Sequence, residues 1–154
     1  MLAVSSAAIV LASAVLAPPA WAGSPWTLYT GNAFDDRIDV FDGDGNSFPS
    51  FGAGFVNDPQ GVGLGPTGNV YVASTGTNTI EVFTNDGAPL QTIPGGPFTS
   101  PTDVAFAPGG NLYVTYGGSD RVVVYTPGGL ILFSFTTGAT GSFPTRLAFA
   151  PDGL

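Results

Sequence analysis

The chain of 154 residues contains no lysine, no histidine and no cysteine, and only three arginines. Without cysteine there is no disulfide, no thiol nucleophile and no zinc–thiolate site. Without histidine, the usual base near neutral pH and the commonest metal ligand are missing. Eleven acidic residues stand against the three arginines, for a net charge of −8. Nucleic-acid affinity rests on Lys/Arg contacts to phosphate, so no nucleic-acid partner is expected, and an anionic membrane surface is disfavoured for the same reason. A protein partner, or a small neutral or cationic ligand such as a sugar, stays open. Charged residues make up only 9% of the chain, yet 44% is hydrophobic and there are 23 glycines and 14 prolines. That balance argues for many short strands joined by tight turns rather than for disorder or collagen.

Residues 2–17 are apolar or small and carry no charge, and Ala20-Trp21-Ala22 offers small residues at the −3 and −1 positions of a cleavage site before Gly23. The run is shorter than a comfortable membrane span of about 20 residues. Residues 1–22 therefore read as a signal peptide, although its only positive charge is the Met1 amino group. The mature chain, 23–154, is expected to be secreted, periplasmic or at the cell surface, with no stable membrane span after cleavage.

A 42-residue echo dominates the rest. Tyr29, Tyr71 and Tyr113 keep that interval, as do Ile38, Ile80 and Val122, Val40, Val82 and Val124, and Gly45, Gly87 and Gly129; Pro59, Pro101 and Pro144 follow at 42 and 43. A period of about 40–50 residues made only of strands and turns is that of a β-propeller blade. Each repeat divides into four short strands. In the two complete repeats the first is expected near 61–65 and 103–107, small and apolar as suits a crowded axis, and the second over 69–73 and 111–115. The third is expected over 80–83 and 122–125, and the outermost over 89–93 and 130–135. On the third strand, Ile80 and Val82 alternate with Glu81, which predicts one face on the core and Glu81 toward water. No helix is expected after the signal.

The run Tyr71-Val72-Ala73, then Asn78-Thr79-Ile80-Glu81-Val82-Phe83, a turn glycine and Pro101-Thr102-Asp103-Val104-Ala105 resembles the NHL repeat. Arg37 and Arg121 stand where that family carries an arginine before the third strand; the second repeat has Thr79 there. The family's usual aspartate three residues after the tyrosine is Asn32, Ser74 or Tyr116 here. The resemblance covers residues 26–154 and implies an all-β propeller, with blades of about 26–58, 59–100 and 101–143 and the start of a next one at 144–154. The Gly-His and Trp-Asp signatures of WD40 repeats are absent. Three blades make an incomplete ring, since closure takes at least about four. Truncation of a longer protein is the expected cause. The alternative is a homodimer of complete chains in which two copies close six blades.

In propellers, ligands gather at the channel mouth, where loops after the second strand meet the inter-blade linkers. The candidate ligand-binding residues there are Asp103, Arg146, Tyr116, Asp120, Asp36 and Asn78. Asp36, Asn78 and Asp120 share one repeat position, which favours a turn-capping role for them. Arg37 and Arg121 are expected to bridge blades or pair with nearby carboxylates, and Asp103 and Arg146 to pair with each other or bind a ligand. Asp42-Gly43-Asp44-Gly45-Asn46 lacks the spacing and final glutamate of a calcium loop and coincides with a hairpin turn of the next repeat. Phe48, Phe51 and Phe55 read as outer-strand packing. No catalytic residue, metal site or cofactor is assigned. The resemblance implies an exported ligand- or protein-binding scaffold. Its alternative is a metal-dependent sugar lactonase or lyase completed by further blades, with Ca²⁺ or another divalent ion as cofactor. Propeller lyases that depend on histidine, streptogramin lyases among them, find no candidate residue here.

Overall fold

The computed structural model describes residues 26–150; the expected signal peptide lies outside them. Eleven strands form three antiparallel sheets. The first has three strands, β1 (Thr27–Asn32), β2 (Arg37–Asp42) and β3 (Ser47–Phe51). The second has β4 (Pro59–Leu64), β5 (Val70–Ser74), β6 (Thr79–Phe83) and β7 (Pro89–Pro94). The third repeats that order with β8 (Pro101–Phe106), β9 (Leu112–Tyr116), β10 (Arg121–Tyr125) and β11 (Ile131–Thr136). Within each sheet, neighbours in sequence are neighbours in space. The sheets are not closed into a ring, and the architecture is a partial β-propeller.

The inner strands begin two residues earlier than the small apolar runs suggested, at Pro59 and Pro101. Proline lacks an N–H and is tolerated as the first residue of a strand. The close approach expected at the axis is real. A Cβ on Gly61 would lie 2.5 Å from the Asp103 Cα, and one on Gly63 would lie 2.7 Å from the Val104 carbonyl oxygen. Only glycine lets β4 and β8 run that close. The hairpin turns between third and fourth strands carry Gly45, Gly87 and Gly129 at φ of +84°, +91° and +88°, which explains their echo.

Two apolar layers hold the sheets together. Ile38 and Val56 meet Val70, Val72 and Phe83, while Tyr71, Ala73, Ile80, Val82 and Ile93 meet Val104, Leu112, Val114, Tyr116, Val123 and Tyr125. The second sheet is thus covered on both faces, which corrects the expectation for Glu81. That residue is only 6% exposed, and its carboxylate accepts hydrogen bonds from the Thr79 hydroxyl (2.7 Å) and the Thr92 hydroxyl (2.6 Å). A buried carboxylate is tolerated when hydroxyls satisfy it. A single 3-10 turn, Gly117–Ser119, is the only helical element among the described residues.

Candidate functional site

Asp36, Asn78 and Asp120 each end a loop between second and third strands in the left-handed backbone region, at φ of 50°, 59° and 53°. Asp and Asn adopt that region more readily than other side chains with a Cβ. From there each side chain reaches the linker into the next sheet. Asp36 accepts the Asp58 N–H at 2.7 Å, and Asn78 accepts the Ser100 N–H at 3.0 Å. Asp120 accepts the Phe143 N–H at 2.8 Å and the Gly141 N–H at 2.6 Å. Those two backbone donors hold the Asp120 carboxyl below its ordinary range. The donating residues Asp58, Ser100 and Phe143 are themselves left-handed. The side chains therefore bind one face of the chain together, joining loops to linkers.

On that face lies a cavity of about 400 Å³, lined by Asp58, Gln60, Thr75, Thr102, Phe143, Thr145 and Arg146. Gln60, Thr102 and Thr145 each follow a repeat proline, so β4, β8 and the segment after Phe143 deliver three polar side chains to one mouth. Neighbouring repeats are stitched together there. Thr75 donates to the Pro101 carbonyl at 2.5 Å, and Thr102 donates to the Pro144 carbonyl at 2.7 Å. The half-buried Thr75 hydroxyl oxygen keeps lone pairs for a ligand, whereas Thr102 is buried and its hydroxyl also bonds that of Thr115 at 2.9 Å. Gln60 donates its amide to Asp58 at 2.7 Å, which orients both groups. The Arg146 guanidinium has no hydrogen-bond or ion-pair partner among the described residues.

The other candidates fall elsewhere. Asp103 does not pair with Arg146; its Oδ2 accepts the Leu147 N–H at 2.9 Å and holds residues 144–149 alongside β8. Tyr116 is fully buried between the second and third sheets, and its hydroxyl bonds that of Tyr125 at 2.7 Å. Burial pushes the Tyr116 phenol far above its ordinary range. Of the six candidates, only Arg146 lines the cavity. The structure brings it together with Gln60, Thr75, Thr102 and Thr145, which sequence reasoning did not single out. For Gln60, Thr102 and Thr145 the signal is the position directly after each repeat proline.

The remaining arginines act within their own sheets. Arg37 pairs with Asp35 at 3.0 Å and with Asp39 at 2.6 Å, and Arg121 donates to Ser134 at 3.1 Å. Asp42 caps its own hairpin by accepting the N–H groups of Asp44 and Asn46, each at 2.9 Å. No group of three or more potential metal ligands occurs among the described residues.

No family model and no curated protein matches the sequence. Solved structures do match. A streptogramin B lyase is 18% identical with a TM-score of 0.65, covering 77% of this chain and 40% of that one. A catalytically inactive histidine-to-alanine form of virginiamycin B lyase from Staphylococcus aureus, with quinupristin, is 18% identical with a TM-score of 0.61, covering 76% and 40%. Hydrazine synthase of Kuenenia stuttgartiensis is 18% identical with a TM-score of 0.63, covering 72% and 32%. The chain thus spans about 40% of the length of the lyases it resembles. At these identities the likeness defines the class by fold alone, a β-propeller.

Proposed function

We propose that this chain is part of an exported, NHL-type β-propeller that binds a small, neutral, hydroxyl-rich ligand, such as a saccharide, at the channel mouth. The observation that carries the reading is the polar cavity of about 400 Å³ where the inner strands and linkers converge. Binding pockets of this size class hold a few convergent polar groups and a hydrophobic wall. Here Asp58 supplies an acceptor, Gln60 and Arg146 supply planar donors, Thr75 and Thr145 supply hydroxyls, and Phe143, 54% exposed, supplies an apolar side chain. Among the residues that line the cavity itself, one guanidinium and one carboxylate balance in formal charge and the other polar groups are uncharged, which suits an uncharged polyol. The 42-residue pattern supports the NHL assignment, and the uncharged apolar N-terminal run supports export.

A lyase activity would be the reading by fold likeness alone. The inactive histidine-to-alanine form points to a histidine in that enzyme, and these 154 residues, which span about 40% of its length, carry none. The mouth residues here are suited to holding a ligand rather than to moving a proton. Calorimetric titration with a panel of neutral mono- and disaccharides, set beside sugar acids and amino sugars, tests the proposal. The expected result is saturable binding of at least one neutral member, weakened about tenfold or more by Arg146→Ala. Binding to none of the neutral members below about 10 mM would overturn it.

A further inference from the structure

A second cavity, of about 450 Å³, opens at the outer rim between the first and second sheets. Its walls include Tyr29, Phe48, Pro49 and Phe51, and the turn residues Asn85 and Asp86 close one side. The ring of Tyr29 is fixed, because its hydroxyl donates to the Asn85 carbonyl at 2.9 Å and its edge meets Phe51 at a centroid distance of 6.2 Å. The turn is pinned as well: a Cβ on Gly87 would lie 2.6 Å from the Phe51 Cβ. Thr84 donates to Asp86 Oδ1 and orients the carboxylate. Among the described residues the ion pairs are those of Arg37 with Asp35 and Asp39, so Asp86 has no cationic partner.

The next repeat shows what this place looks like when closed. Between the second and third sheets, Gln91 pairs with Val82 as Phe48 pairs with Val40, and its amide donates to the Gly128 carbonyl at 3.1 Å, across the gap. Gly128 in turn stands where Asp86 stands. The first cleft therefore differs from its repeat in two coordinated ways: the bridging amide is replaced by the Phe48 ring, and a carboxylate without a cationic partner is added.

We propose that this outer cleft is a binding site for a small organic ammonium ion, with Asp86 as counter-charge and the rings of Tyr29, Phe48 and Phe51 as its walls. Aromatic faces attract cations within about 6 Å of the ring centroid, and a carboxylate at the rim adds charge attraction. A neutral molecule of the same shape gains neither. This site is independent of the mouth, which shares no residue with it.

Choline and its uncharged isostere 3,3-dimethylbutan-1-ol, titrated separately into the full chain and followed by amide NMR, test the assignment. Choline is expected to bind saturably and at least about fivefold more tightly than the isostere. Asp86→Asn is expected to weaken choline binding by more than about twofold and so narrow that preference, the attraction of the rings remaining. Phe48→Gln, which puts the amide of the next repeat at the equivalent place, is expected to abolish choline binding while the thermal midpoint is retained. No saturable choline binding below about 10 mM, equal binding of the isostere, or an affinity within about twofold of the parent in Asp86→Asn would each overturn the proposal.

Discussion

The hydroxyl of Tyr71 donates to the carbonyl oxygen of Pro127 at 3.2 Å, across 56 residues of sequence, and Tyr29 does the same to Asn85 at 2.9 Å across the same interval. Each tyrosine thus ties the second strand of one sheet to the hairpin turn of the next. The echo of tyrosines is a repeated inter-sheet strap. Tyr113, the third of the set, makes no such bond among the described residues and packs edge-on against Phe149.

Removing the strap hydroxyl has a measurable cost. Tyr71→Phe is expected to lower the stability by about 1 kcal/mol, a typical net value for one hydrogen bond. Tyr113→Phe is expected to cost measurably less. Chemical denaturation of the two variants beside the parent chain checks the contrast.

The buried Tyr116–Tyr125 hydroxyl pair should behave as a unit. Either single change to phenylalanine strands one buried hydroxyl, at about 1–3 kcal/mol. The double phenylalanine variant leaves no polar atom unpaired, so its cost is expected to fall well below the sum of the two. A double-mutant cycle in urea measures the coupling.

Gly61 is expected to tolerate no side chain. A Cβ there would meet the backbone of Asp103 at 2.5 Å, between two inner strands that have no room to part. Overpacking of this kind costs about 1–3 kcal/mol, so Gly61→Ala should unfold at lower denaturant than the parent.

Acid should loosen the linkers at the mouth. The Asp120 carboxyl is lowered by the backbone N–H groups of Gly141 and Phe143, and Asp39 is lowered by Arg37 and Asn32. A carboxyl lowered in the folded state stabilises above its unfolded value and loses that contribution as pH falls through the folded value. Stability is therefore expected to hold above about pH 5 and to fall below about pH 4. Asp120→Asn keeps an acceptor without a titrating group, as Asn78 already shows, and should flatten the acid limb of a stability–pH curve.

The fold was legible because each repeat restates it. Proline, the small inner strand, the tyrosine and the turn glycine recur at fixed spacing, and each has a local physical cause. What sequence reasoning missed depends on which sheet covers which face. Glu81 read as solvent-facing because alternation along one strand does not reveal a neighbouring sheet on its far side. Tyr116 read as a mouth residue by position in its loop. Its alternation with Leu112 and Val114 on β9 was the better signal and puts it in the core. The mouth itself was half visible. Arg146 stands out by its variable repeat position, whereas Gln60, Thr102 and Thr145 become apparent only with β4, β8 and residues 144–146 side by side.

The most direct test of ligand binding at the mouth is a map of amide NMR shifts during titration with the tightest-binding neutral saccharide of the panel. Shifts that saturate together at Gln60, Thr75, Thr102, Thr145 and Arg146, with Val123 and Tyr125 in the core unmoved, are expected. Saturating shifts confined to other residues, or none at any saccharide concentration, would contradict the placement of the site.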